Sequence, residues 1–212
     1  MRSHKATSAA VITGDIVNST KLLPKQERDL FEKLIYATLK DHQYEFYRGD
    51  SFQAFVDKPE KSLRLALTCR ALAISFNEHS VMTFDIRVSI AIGKVTLPIE
   101  NLGTARDAPF ILSGRKLDTL KEEGRRLAIV SGDRKADIAF DVMSSYIDSI
   151  FQKMTTRQAD VIAELLHGIP QQQLAGSLGK SKSTISELAT AGRWPEIELL
   201  MQNFEDLVKL IV

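Results

Sequence analysis

Cysteine is almost missing from this 212-residue chain: Cys69 stands alone, which excludes an intramolecular disulfide and any multi-cysteine zinc site. Histidine is equally scarce. His4, His42, His79 and His167 are scattered without the spacing of a ligand set. His42 and His79 follow helical stretches and read as surface residues. No apolar run approaches the ~18 residues that a membrane span needs, so no membrane partner is expected. The start, MRSHKATSAAVITGD, reaches an acidic residue too soon for a signal-peptide core. Together these absences predict a cytoplasmic, disulfide-free protein. Charge of one sign is lacking too. The formal net charge of +1 neither demands nor excludes nucleic acid. What is present is an ordinary globular composition, 44% hydrophobic and 26% charged, with room for one large domain or two small ones.

Hydrophobic periodicity divides the chain. From residue 8 to 131 strands alternate with helices. Ala9 to Thr13 reads as a short strand stopping at Gly14-Asp15. Leu30, Phe31, Leu34, Ile35 and Leu39 mark one face of a helix over Lys25 to Lys40. Tyr44 to Tyr47 and Phe52 to Val56 form two strands hinged at Arg48-Gly49-Asp50. A second helix spans Lys61 to Phe76. Phe84 to Ile92 alternates apolar and polar residues as a strand, and Gly93 to Pro109 reads as a loop. A third helix, Phe110 to Glu122, precedes a strand at Arg126 to Val130. The predicted order, β-α-β-β-α-β-α-β, gives an α+β fold of the ferredoxin or palm type, with helices on one face of a mainly antiparallel sheet. Beyond Asp133 no strand pattern returns. The expected division is a palm domain over 1–133, a connecting helix over 134–153, and an all-α domain over 154–212.

Within that last part, Gln171 to Thr190 (QQQLAGSLGKSKSTISELAT) carries the most specific pattern. Ala175 is small where two helices must touch, and Gly179 permits a positive φ in a tight turn. Ile185 and Leu188 face inward, and Ser181 is placed to cap the second helix. These offsets describe a helix-turn-helix. The stretch TTRQADVIAELLHGIPQQQLAGSLGKSKSTIS resembles the helix-turn-helix of sigma-factor region four and of LuxR-type regulators. The resemblance implies DNA as a partner, with Lys180, Lys182, Ser183, Thr184, Ser186 and Glu187 on the reading surface. Against it, residues 151–212 hold six Lys/Arg and seven Asp/Glu, whereas phosphate neutralisation dominates DNA affinity. Lys180, Lys182 and Arg193 nevertheless cluster beside the reading helix. A long apolar stripe from Ile197 to Ile211 fits either packing within the chain or a homodimer seam.

In the first part, Asp15 follows the first strand and Asp50 lies at the hinge. In a palm these two points meet at one end of adjacent strands, where paired carboxylates can hold Mg²⁺ or Mn²⁺. Asn18, Ser19 and Thr20, ahead of the first helix, suit phosphate groups. AVITGDIVNSTKL and RGDSFQAFV resemble the two metal-carboxylate segments of class III nucleotide cyclase domains, and DIRVSIAIGKV resembles a strand of that family ending in a glycine turn. The same segments, with glutamine after GDSF and with RDAPFILSGRKLD, are similar to the bacterial SatD family. The resemblance implies a cyclase-like palm, Asp15 and Asp50 as metal ligands, a nucleotide or phosphorylated ligand, and Arg115 at the position of a phosphate-stabilising arginine. Ile111 stands where cyclases place an asparagine, and no lysine lies in Gln43 to Tyr47. Losing half of the apparatus that orients the ribose and neutralises charge argues against turnover. The expectation is a DNA-binding transcriptional regulator with a ligand-sensing cyclase-like domain. An active nucleotidyl cyclase with a helical docking tail is the alternative.

Overall fold

The computed structural model describes residues 5–22, 24–47, 49–77 and 84–212; His4, Arg48 and His79 lie outside the described residues. Five strands form one sheet in the order β2-β3-β1-β4-β5. They are β1 (Lys5–Val17), β2 (Gln43–Tyr47), β3 (Ser51–Val56), β4 (Asp85–Leu97) and β5 (Leu127–Val130). Only the β4–β5 pair is parallel, joined by the crossover helix α3 (Ala108–Glu123). The sheet and its helices, α1 (Pro24–Leu34) and α2 (Ser62–Ser75) included, make a mixed α+β body.

Three details depart from the sequence reading. First, β1 does not stop at Gly14-Asp15 but pairs through both to Val17. Gly14 serves close approach here rather than a turn: a Cβ on it would meet the Phe52 ring at 2.7 Å. Second, β4 runs past Gly93 to Leu97, so the expected loop begins later. Long pairing with β1 holds those residues extended. Third, the helices occupy both faces. Ala10, Ile12 and Ile16 of β1 join the core of α1 and α2, while Ala9 and Val11 pack with Phe110 of α3. Alternation along the strand commits each set to its own side.

Beyond β5, helices α4 (Arg134–Phe151), α5 (Thr156–Leu166), α6 (Gln171–Ser177), α7 (Lys182–Ala191) and α8 (Trp194–Ile211) complete the chain. A short turn separates α4 from α5. Thr155 closes a capping box with Gln158, satisfying otherwise orphaned donors at the start of α5. The hydrophobic core does not break there. One cluster runs from Leu63, Leu67 and Ala71 of α2 to Val161, Ile162 and Leu165 of α5, and on to Ile197, Met201, Phe204 and Val208 of α8. Packing inside the chain therefore accounts for most of the α8 stripe, leaving Leu199 and Leu210 exposed.

Charge also ties these layers together. Arg70 of α2 is fully buried. Its guanidinium donates to Asp85 of β4 through Nε (3.1 Å) and Nη2 (2.8 Å), and to Asp148 of α4 through Nη1 (2.6 Å). The other Asp148 oxygen accepts from the backbone N–H groups of Arg126 and Leu127 at the start of β5. Both carboxylates hold the Arg70 pKa above its ordinary value, against the opposing effect of burial. Replacing Arg70 by Met leaves two buried carboxylates without their cation. We expect a loss of about 3–5 kcal/mol in urea unfolding. Lys61→Ala, which removes the exposed pair with Glu205, is expected to cost below about 1 kcal/mol.

Candidate functional site

The α3 side of the sheet carries a polar seam in place of apolar packing. Asp15 and Arg87 are register partners on β1 and β4. One guanidinium nitrogen, Nη1 of Arg87, donates to both Asp15 oxygens, at 2.7 and 3.0 Å. The Arg87 side chain is about nine-tenths buried, so the pair sits where water screens it little. One step along the strands, Gln53 donates through Nε2 to the Thr13 hydroxyl (3.0 Å), which lies 2.7 Å from Ser113 Oγ of α3. Ser113 donates in turn to the Phe110 carbonyl. With one hydrogen on each hydroxyl, this orders the chain Gln53 to Thr13 to Ser113 to Phe110.

Asp50 reaches the same edge from the β2–β3 hairpin. Its backbone carbonyl accepts from the Ile16 N–H. Its carboxylate accepts from Ser19 (2.7 Å) and Ser51 (3.3 Å). Burial raises the Asp15 pKa above the usual carboxylate value; Arg87 pulls it down, the Asp50 charge raises it again and Lys121 lowers it. Asp50 thus sits next to Ser51, the register partner of Asp15, at the same end of the strands.

The expected metal site fares differently. Every carboxylate oxygen of the pair already has a donor. Among the described residues no group of three or more His, Cys, Asp and Glu is arranged to hold a metal ion. Mg²⁺ or Mn²⁺ between these two carboxylates would compete with the Arg87 guanidinium for Asp15. Of the phosphate candidates, Ser19 donates to Asp50, Asn18 adopts a left-handed backbone, and Thr20 is exposed. Arg115 is exposed two residues beyond buried Ser113, on the outer side of α3. Ile111, at the position of the missing asparagine, is also partly exposed.

Sequence reasoning overlooked Arg87, Thr13 and Ser113. A signal for Arg87 was available: it is a full charge within the alternating strand DIRVSIAI, and one face of that strand had to be polar or paired. Thr13 and Ser113 carry no such mark, because their partnership spans 100 residues.

At the other end of the chain, α6 and α7 are joined through Gly179, whose φ is +60°. Ser181 caps α7 by accepting from the Thr184 N–H. Ile185 and Ala189 are buried, whereas Lys182, Ser183, Ser186 and Glu187 are exposed and Lys180 and Thr184 half-exposed. Arg193 is tied to Glu196 (2.6 Å) and to the Tyr146 hydroxyl (2.9 Å). It is therefore committed to α8 and α4 rather than free beside α7.

No protein-family model matches the sequence, and no curated protein matches it either. Solved structures with some likeness include the guanylyl cyclase Cya2 (12% identity, TM-score 0.43), covering 55% of this chain and 72% of that one. Another is the active GGEEF domain of a diguanylate cyclase from Vibrio cholerae (12% identity, TM-score 0.44), over 58% of this chain and 83% of that one. A third is the guanylyl cyclase domain of the RhoGC fusion protein from the aquatic fungus Blastocladiella emersonii (17% identity, TM-score 0.44), over 55% and 78%. TM-scores of 0.43 and 0.44 do not assign the chain to a family.

The sign of the Asp15 shift has a measurable consequence. A carboxyl whose folded pKa is raised binds its proton more readily in the folded state, so the stability it lends is complete below the unfolded value and is lost as pH rises through the folded one. The difference in urea-unfolding free energy, wild type minus Asp15→Asn, is expected to fall as pH rises from about 3 to about 7. A rising difference would mean that Arg87 outweighs burial.

Proposed function

We propose that this protein is a DNA-binding regulator whose α5–α7 helices form a trihelical helix-turn-helix head on the α+β body. One observation carries the reading: α7 buries Ile185 and Ala189 while leaving Lys182, Ser183, Ser186 and Glu187 in solvent. Surface helices of packing hairpins share such a face; here it adjoins the Gly179 turn and the Ser181 cap expected of a helix-turn-helix. A helix read by the major groove requires such a face. Lys180 and Lys182 would meet phosphates, and Ser183, Thr184, Ser186 and Glu187 base edges. The homodimer expectation draws support from α4, whose outer face exposes Ile138, Val142 and Tyr146 at four-residue spacing. The acidic balance of residues 151–212 predicts modest affinity with few phosphate contacts.

A second reading, a nucleotidyl cyclase whose helical tail serves dimerisation or docking, is favoured by the placing of Asp15 and Asp50 at one end of adjacent strands. The Arg87 pairing of Asp15 and the outward Arg115 weigh against it. Incubating the protein with each nucleoside triphosphate and Mg²⁺ or Mn²⁺ separates the two readings: a cyclic product abolished by Asp50→Ala would favour the cyclase, and none is expected.

DNA recognition is tested by selection from random duplexes followed by mobility shift. Lys182→Ala is expected to weaken binding to all sequences alike and to lower the salt slope by about one. Glu187→Gln or Ser186→Ala is expected to change which bases are preferred. Binding no tighter to selected duplexes than to bulk DNA would remove the proposal.

A further inference from the structure

A cleft of about 450 Å³ opens where the α+β body meets the start of α5, within the ~300–1,000 Å³ typical of small-molecule sites. Ile74 and Asn77 from the end of α2, Phe84 and Asp85 from the start of β4, and Arg126 ahead of β5 form one wall. Phe151, Gln152, Met154, Thr155 and Thr156, from the α4–α5 turn, form the other. We propose that this cleft binds a small organic anion, a phosphomonoester or carboxylate, through the Arg126 guanidinium.

The charge arrangement carries the argument. Arg126 is half-buried, and among the described residues its guanidinium makes one weak contact, to the Arg125 carbonyl at 3.5 Å. A half-buried guanidinium whose donors are mostly not taken up by the described residues is available to an oxyanion. The other charge on the wall, Asp85, does not repel an anion strongly. Its oxygens are held by Arg70 at 2.8 and 3.1 Å and by the Ile86 N–H at 2.7 Å. Arg126 itself is fixed from beneath, since its backbone N–H donates to Asp148. The guanidinium therefore projects from an anchored backbone, as bidentate oxyanion recognition requires. Around it, Gln152 offers an amide and Met154 a half-buried thioether for the ligand's body. Thr156 already spends its hydroxyl on the Asn77 carbonyl (2.7 Å), which ties the two walls together.

This site is separate from Asp15 and Asp50, and its occupancy does not depend on whether the chain binds DNA. Isothermal titration of the full chain tests it with three matched pairs: 5′-AMP and adenosine, glucose 6-phosphate and glucose, salicylate and salicylamide, with inorganic phosphate as a seventh ligand. At least one anion of the three is expected to saturate below about 10 mM, with its neutral counterpart and inorganic phosphate at least about tenfold weaker. The phosphate-bearing and carboxylate arms tell the two anion types apart. Arg126→Gln, which keeps the backbone N–H to Asp148, is expected to weaken that binding about tenfold or more. Arg126→Lys is expected to fall in between, and Arg106→Gln, an exposed arginine away from the cleft, to bind as wild type. Circular dichroism and thermal melting of each variant confirm the fold. Failure of all three anions to saturate, equal binding of a neutral counterpart or of inorganic phosphate, or unchanged affinity in a folded Arg126→Gln would overturn the proposal.

Discussion

A buried arginine is tolerable only when its charge is answered, and the architecture is arranged around that requirement. Arg70 lies inside a mostly apolar helix, and two aspartates from different elements converge on it. One begins β4. The other sits on α4 and at the same time collects the first N–H groups of β5. A single cation thus sets α2, the sheet edge and α4 in register. Apolar packing alone is non-directional and would leave those three free to slide. The Phe151 ring, 4.8 Å from the guanidinium centre, covers the triad on the side of the α4–α5 turn.

That fixed junction governs what each end of the molecule can do. Because α5 packs on α2 within one continuous core, the head carrying α7 is held on the body rather than tethered to it. Its polar face stays in solvent because the opposite face is fully used. The cleft at the α4–α5 turn has walls from both parts, and its rigid backing is the Arg70 triad. On the far side of the sheet the same economy yields the reverse outcome. There Arg87 satisfies Asp15 within the protein, and α3 closes over Thr13 and Gln53 through Ser113. Polar groups on that side are partnered with one another.

Much of the fold was legible because its signals are local. The β2–β3 hairpin with Gly49 at φ +83°, the Thr155 and Ser181 caps and the Gly179 turn follow from residue chemistry over a few positions, whereas the first helix, expected as far as Lys40, passes at Leu34 into a π-helix over Ile35–Leu39. The strand errors share a cause. Gly14 and Gly93 read as breaks because glycine disfavours strands in isolation. In the folded chain Gly14 makes room for the Phe52 ring, and β1 holds Gly93 in β4. The face occupied by α3 was equally hidden, since alternation shows that two faces exist but not which helix covers each.

The sequence by itself determined the type of most helix and strand segments and that α7 has an inner and an outer side, because periodicity and turn chemistry act over short spans. Only the tertiary structure decided the partners of the charges. Arg87 answers Asp15 across 72 residues and Arg70 answers Asp148 across 78, while among the described residues Arg126 is left with donors to spare. Whether an ionisable group becomes a buried strut or an open binding site depends on what the fold brings within hydrogen-bond reach, and spacing along the chain does not encode that.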